Sequence, residues 1–311
     1  MADKTGPKAR TDEPLSHASY SVSGQSIVAP ELASGLYIVS TPIGNLRDVT
    51  IRALETLAAA DLILCEDTRL SRRLLDAYAI ATKTAPYNDH NGPKVRPSIL
   101  DRLSQGATIA LVSDAGTPLL SDPGYRLVAE AGERDLPVIP IPGASALLSG
   151  LVVSGLPTDQ IHFAGFLPTK AEARARRLQI LADIPATLVF YEAPQRVAAT
   201  LAALHDALGN RDAVIARELT KRFESVERAA LSDLAARMDA GNIPAKGEFV
   251  LLVGPPGKPV APTADQIDDA LSSALETLSV RDAAAEVAHA FGLPRREVYT
   301  RALALSDRED D

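Results

Sequence analysis

The chain has no tryptophan, one cysteine and two methionines, and aromatic residues make up only 4% of its 311 positions. With so few rings, its core has to come from Leu, Ala, Val and Ile, which dominate a hydrophobic share of 46%. The lone Cys65, inside the apolar run DLILC, excludes an internal disulfide and a cysteine-built zinc site, and no metal site is expected. Positive charge is short as well. There are 32 Lys and Arg against 40 Asp and Glu, a net charge of −8, so no overall field draws the chain to nucleic acid. An unbroken apolar span is also missing. Residues 136 to 157, LPVIPIPGASALLSGLVVSGLP, carry no charge and are long enough to cross a bilayer, but four prolines and three glycines interrupt them. The opening MADKTGPKARTDEPLSH lacks the apolar stretch of a signal peptide, so the expected location is cytoplasmic, with no membrane partner.

What is present reads as alternating strands and helices. Residues 1 to 33 are polar and aperiodic and are expected to form a disordered tail. Structure is expected from GLYIV at residue 35, followed by a helix capped by Thr50, a strand DLILC, helices over 69 to 78 and 94 to 105, the strand TIALV, a helix from Gly124 and the strand LPVIPI. That order predicts a mostly parallel sheet covered by helices, an α/β domain over 34 to 150. A second α/β domain is expected over 151 to 254, with consecutive strands that allow antiparallel pairing. Residues 255 to 265, rich in Pro and Gly, read as a linker. Residues 266 to 306 read as a small helical unit, with a turn at Gly292-Leu293-Pro294 between two helices. Both a helix-turn-helix and a plain helical hairpin fit that pattern.

In an open α/β sheet, ligands sit beyond the C-terminal ends of the strands. Four segments leave such ends with Gly or Pro: STPIGNL from residue 40, SDAGTPLLSDPG from 113, PIPGASAL from 140 and FYEAPQR from 190. The second of these resembles a phosphate cradle, yet it holds Asp114 and Asp122, and neither GxxxxGK[ST] nor GxGxxG occurs in the chain. Two like charges 4 Å apart repel by about 1 kcal/mol in water and several-fold more in a closed cleft. The loop therefore disfavours a polyphosphate and suits a ligand with hydroxyls, an amine or a positive centre, such as S-adenosylmethionine. The alternative is that both acids only cap turns.

Taken in order, GLYIVSTPIGNLRDVTIRALETL, LILCEDTR, LVSDAGTPLLSDPGY, PIPGASAL, GFLP, FYEAPQR, ARELTK and KGEFVLLV resemble the small-subunit ribosomal RNA methyltransferase I family. That family is a branch of the tetrapyrrole-methylase-like (class III) methyltransferases. The similarity spans about residues 34 to 254 and the helical tail. It implies a two-domain α/β fold with the S-adenosylmethionine cleft between the domains and a C-terminal helical unit. It implies a homodimer that methylates the ribose 2′-oxygen of a cytidine in the decoding region of small-subunit rRNA, within the 30S subunit. It carries cofactor binding onto Pro42, Asp114, Ala115, Gly116, Thr117, Pro118, Leu119, Leu120, Ser145, Ala146, Phe190 and Tyr191.

For proton removal from the hydroxyl, the candidates are Glu66, Asp67 and Arg69 in EDTR and His90 in YNDHN, with Glu218 and Lys221 in ARELTK as further possibilities. EDTR ends a strand beside the cofactor loop and is favoured, although an Asp/Arg pair there would also cap the next helix. Candidate RNA-phosphate contacts are Arg72, Arg73, Lys170, Arg174, Arg176, Arg177 and Lys221, each of which also reads as a solvated helix face. Asp122-Pro123-Gly124 is expected to shape the turn into the following helix rather than to meet the ligand. Two rivals remain. A tetrapyrrole methylase would be expected to open on a GxGxGD-like loop, where this chain has TPIGNL. A ligand-sensing regulator would use the helical tail on DNA.

Overall fold

The computed structural model describes residues 18–257 and 262–309, the last three of them as backbone only. They form two compact units that divide at residue 256.

The larger unit contains two five-stranded sheets. The first is wholly parallel. Its strands are β3 (Gly35–Val39), β4 (Leu62–Cys65), β5 (Thr84–Pro86), β6 (Thr108–Val112) and β7 (Val138–Ile141), in the spatial order β5-β4-β6-β3-β7. Strands buried on both faces need apolar residues throughout, and LILC and TIALV supply them. Helices α1 (Ile51–Ala59) and α2 (Thr68–Ala77) cover one face. Helices α3 (Gly92–Ser104) and α4 (Tyr125–Glu133) cover the other. Each helix turns an apolar stripe inward. In α1 the buried positions include Ala53, Leu54 and Leu57, and Thr50 caps its start by accepting from the Ala53 amide at 3.1 Å.

The tail expected over 1 to 33 is corrected in part. Residues 1 to 17 lie outside the described residues. Beyond them, β1 (Ser19–Val22) and β2 (Gln25–Val28) form an antiparallel hairpin. Its two-residue turn, Ser23-Gly24, has both φ angles positive (52° and 81°), which suits the right-handed strand twist. Tyr20 and Ala29 bury themselves with α1, and the Ser21 amide donates to the Tyr78 carbonyl at 2.7 Å.

The second sheet comprises β8 (Ile161–Phe166), β9 (Thr187–Glu192), β10 (Asp212–Arg217), β11 (Ser225–Ala230) and β12 (Phe249–Val253), ordered β11-β10-β12-β9-β8. Only β8 and β9 run parallel; the other pairs are antiparallel. Helices α6 (Ala171–Ala182), α7 (Val197–Leu208) and α8 (Leu231–Asp239) cover one face. On the other face lies α5 (Ala146–Ser154), with Leu151 packed beside Val250 and Leu252. The expected boundary at residue 150 therefore cuts through a helix. Gly150 explains the fit, because a Cβ there would stand 3.0 Å from Val250 Cγ1.

In the smaller unit, α9 (Ala264–Leu275), α10 (Val280–Phe291) and α11 (Arg295–Glu309) pack around Leu271, Val287 and Ala302. The expected linker is shorter than 255 to 265, because Thr263 and Gln266 form a capping box that starts α9 at Ala264. Residues 258 to 261 of that linker lie outside the described residues. No helix among the described residues is long and apolar enough to cross a membrane.

Candidate functional site

Three loops leaving the C-terminal edge of the parallel sheet are knitted together. Thr41 and Gly116 exchange two backbone hydrogen bonds, 2.8 and 3.0 Å long. Ser40 and Thr117 join their hydroxyls at 3.0 Å, and Thr117 Oγ1 donates to the Ala144 carbonyl at 3.3 Å. Close approach requires small residues at these crossings. A Cβ on Gly143 would lie 3.0 Å from Ser40 Cβ, and Gly116 takes φ +81°. Leu119 and Ser121 also have positive φ, 75° and 69°. Such backbone costs about 1–3 kcal/mol per residue and is held only where surroundings over-determine it. Leu119 packs into the core beneath the parallel sheet, and Ser121 faces the second sheet across the cleft. The β8 strand bulges between Phe163 and Gly165, and Gly165 has no Cβ, which leaves room for the Ser121 hydroxyl.

Between these loops and the second sheet lies a cavity of about 450 Å³. Ile43, Ala115, Leu120, Ala146, Ala216, Leu219 and Val250 give it an apolar wall. Its ionisable lining is entirely acidic or phenolic: Glu66, Asp114, Asp122, Tyr191, Glu192 and Glu248. Among the described residues no Lys, Arg or His lines it, so the cavity disfavours a polyphosphate. A ligand with an apolar flat body, hydroxyl and amine donors and a positive centre matches both walls.

The acids differ in state. Burial, together with the charges of Asp122 and Asp114, raises Glu66 to about 7. Burial and then Asp114 raise Asp122 to about 6, against a hydrogen bond from Ser113 that pulls the other way. Asp114 uses Oδ1 to accept the Asp67 amide at 3.1 Å. Glu66 and Asp122 can thus hold or release a proton near neutral pH. Tyr191 accepts the Leu147 amide through its hydroxyl at 3.1 Å, and Phe163 and Phe166 pack edge-on against its ring at 4.9 and 5.7 Å. Glu192 is structural. Its carboxylate accepts from the Thr200 hydroxyl at 2.6 Å and the Ala193 amide at 2.9 Å, and it lies 3.3 Å from Arg196 Nε. Arg196 in turn donates to the Leu167 carbonyl at 2.6 Å, which ties FYEAPQR to GFLP.

Of the residues singled out from sequence, Glu66, Asp114, Ala115, Gly116, Thr117, Leu120, Ser145, Ala146 and Tyr191 line this cavity. Others do not. Phe190 is fully buried on the opposite face of β9, because strand neighbours alternate sides. Pro118 is buried, and Leu119 packs into the core beneath the parallel sheet. Pro42 and Arg73 border a separate small hollow of about 100 Å³.

Asp67 caps α2 by accepting the Arg69 amide at 2.8 Å, and Arg69 grips its other oxygen at 2.7 Å. These hydrogen bonds lower Asp67 to about 2, which makes it a weak base. His90 is exposed on the turn Asn88–Asn91 and lines neither this cavity nor the hollow. Lys221 is not presented to solvent as an RNA contact. Glu218 and Glu248 hold its ammonium at 2.9 and 3.0 Å, and its stem packs where a Gly44 side chain would be. Burial opposes its charge, but those two hydrogen bonds outweigh burial and raise its pKa. Arg72 leans on Asp76 at 3.8 Å, and Arg176 lies 3.6 Å from Glu172. Lys170 is exposed, while Arg174 and Arg177 are half-buried on α6.

Sequence reasoning misses Asp122 and Glu248 in the lining, together with Ile43, Ser121, Phe166, Ala193 and Pro194. Several stand inside quoted motifs. Asp122 reads as turn chemistry because Pro123-Gly124 follows it. Among the described residues, no group of His, Cys, Asp or Glu is placed to hold a metal ion.

Residues 35–235 match the family model for Tetrapyrrole (Corrin/Porphyrin) Methylases, and residues 261–306 match the RsmI C-terminal HTH domain. The fold is similar to that of a cobalt precorrin-4 methyltransferase, at a TM-score of 0.53 and 17% identity over 70% of this chain and 94% of that one. The ribosomal RNA small subunit methyltransferase I of Mesorhizobium japonicum is 49% identical over 90% of this chain and 95% of its own length. The protein of that name from Vibrio cholerae is 43% identical over 87% of this chain and 94% of its own. Identity of this size along nearly the whole of each relative places the chain in the ribosomal RNA small subunit methyltransferase I family, within the tetrapyrrole methylases.

Proposed function

We propose that the chain methylates the ribose 2′-oxygen of a cytidine in the decoding region of small-subunit rRNA, acting as a homodimer on the 30S subunit. The coarser statement stands on family membership: the protein is an S-adenosylmethionine-dependent rRNA methyltransferase. The observation that carries the site is the cleft whose ionisable lining, among the described residues, holds acids and one phenol but no Lys, Arg or His. When bound, S-adenosylmethionine supplies a methyl group on a positively charged sulfur. The residues fit it. Asp114 Oδ2 accepts no hydrogen bond among the described residues and can take hydroxyl or amine donors, and the Ile43, Ala146 and Leu219 wall suits a flat heterocycle.

The chain's own chemical task is the acceptor proton. A ribose hydroxyl is a weak nucleophile, so alignment and proton removal both matter. Asp122 or Glu66, in its carboxylate form, would take the hydroxyl proton onto an oxygen as the O–C bond to the methyl group forms and the methyl–sulfur bond breaks, its electron pair leaving with a neutral thioether. Their values of about 6 and 7 leave a usable carboxylate fraction at neutral pH. Asp67, with its pKa near 2, is the weaker base, and neither it nor His90 is in the cleft lining. Lys170, Arg174, Arg176 and Arg177 on α6, with Arg72 and Arg73 on α2, remain the RNA-phosphate contacts of this reading.

The test compares methyl incorporation into unmodified 30S subunits, naked rRNA and a tetrapyrrole, with S-adenosylmethionine as donor. Transfer to 30S subunits at one ribose supports the reading. Transfer only to the tetrapyrrole, or DNA binding with no transfer, contradicts it.

A further inference from the structure

Beyond the acid-lined cleft lies a second recess of about 380 Å³. Its walls are the segment that leaves β5 and the turn that enters α4. Asn88, Asp89, Arg96, Asp122, Tyr125 and Arg126 define its polar character. Asp122 borders both spaces, so the recess adjoins the cleft at a carboxylate. Unlike the cleft, the recess contains arginines.

Its parts differ in freedom. Arg96 belongs to the floor: Nε donates to Glu130 at 2.7 Å, its side chain is 12% exposed, and it hydrogen-bonds Tyr87. The rim is stiff, because the Asn88 and Asn91 side chains interlock. Asn91 Oδ1 accepts the Asn88 amide at 2.8 Å, and Asn88 Oδ1 accepts the His90 and Asn91 amides at 3.1 Å each. Two side chains are left open. Tyr125 is 73% exposed directly after Gly124, whose φ of +128° swings the chain outward. Arg126 is exposed and forms no ion pair among the described residues. An uncovered ring beside an unpaired guanidinium offers a stacking face and a phosphate partner together.

We infer that this recess receives the acceptor nucleotide of the RNA, swung out of its strand, with its base against Tyr125 and a backbone phosphate on Arg126. Asp89 offers carboxylate oxygens to an exocyclic amine on the base edge. The ribose then lies at the Asp122 wall, where the two spaces meet. The phosphate is kept on the arginine side and the positive methyl donor on the acid side. This inference rests on the rRNA-methylation reading above and names where its substrate sits.

The experiment uses the full chain and unmodified 30S subunits. Tyr125→Ala is expected to lower kcat/KM for the subunits about tenfold or more, the size of one base stack removed. Arg126→Glu is expected to lower it as well and to flatten its salt dependence. Tyr125→Phe, which keeps the ring, is expected to recover most of the loss. The Kd for S-adenosylmethionine and the oligomeric state stay as in the parent. Parental kcat/KM in Tyr125→Ala, while the parent is active, overturns the inference alone. So does loss of S-adenosylmethionine binding, which would assign the recess to the cofactor, or a changed oligomeric state, which would make Tyr125 a subunit contact. A parent inactive on RNA overturns the underlying reading, and this inference falls with it.

Discussion

Glu66, Asp114 and Asp122 crowd one side of the cleft, and their mutual repulsion under partial burial sets the chemistry there. If an ionised carboxylate takes the acceptor proton, kcat/KM falls as pH drops through about 7 to 6. Asp122→Asn is expected to cost about 10²–10⁴-fold in rate if Asp122 is the base. Glu66→Gln then shifts the midpoint of the profile without abolishing activity. A profile that stays flat down to pH 5 would dismiss both acids.

Stability gives an independent reading of Asp122. Its folded pKa of about 6 lies above the ordinary 3.8, so its contribution is full below about 4 and is lost as pH rises through about 6. Asp122→Asn removes that loss. Thermal unfolding should show the variant more stable than the parent at pH 8 and level with it near pH 4. The turn reading of Asp122, which expects a plain loss of stability on substitution at every pH, would be favoured by the opposite result.

At the scale of elements, α5 fixes the cleft from behind. Its N-terminal amide at Leu147 binds the Tyr191 hydroxyl, and Gly150 lets the helix lie close on β12. Gly150→Val is expected to push the helix outward and cost about 1–3 kcal/mol in denaturant unfolding. It should also weaken S-adenosylmethionine binding, because Ser145 and Ala146 line the cleft. Unaltered stability and binding would show that α5 does not set the wall.

Most strands and helices and the three Gly/Pro loops are legible in local pattern, because apolar runs ending in Gly or Pro mark a strand feeding a loop, but β1, β2, β5, β11 and α5 are not. Non-local facts are not. Phe190 and Tyr191 read together as one cofactor wall, although β9 alternation sends them to opposite faces. The polar SYSVSGQSIV reads as tail until Tyr20 finds α1. SVERAA gives no strand pattern of its own and becomes β11 by pairing with β10. Ser121, next to Asp122, meets Gly165 at the β8 bulge, a meeting of segments about 40 residues apart in sequence that no local motif announces.

The whole molecule carries a net charge of −8, so any attraction to RNA has to be local. Lys170, Arg174, Arg176 and Arg177 lie at or on one helix, and the ion pair of Arg176 with Glu172 is long and exposed. Reversing Arg174, Arg176 and Arg177 is expected to weaken subunit binding and to reduce the salt slope by about one for each phosphate no longer neutralised. An unchanged slope in a binding titration would remove α6 from the interface. Lys221 is set apart from this group, because its ammonium already serves Glu218 and Glu248.

At the centre of this reading, the acid-lined cleft delivers a methyl group to one ribose of small-subunit rRNA. The most direct measurement is transfer of labelled methyl from S-adenosylmethionine to unmodified 30S subunits, followed by mapping of the modified nucleotide. The expected result is about one methyl per subunit, on the 2′-oxygen of a single decoding-region cytidine, with loss of transfer when Glu66→Gln and Asp122→Asn are combined. Methylation on a base, scattered over many riboses, or at full rate in that double variant would contradict it.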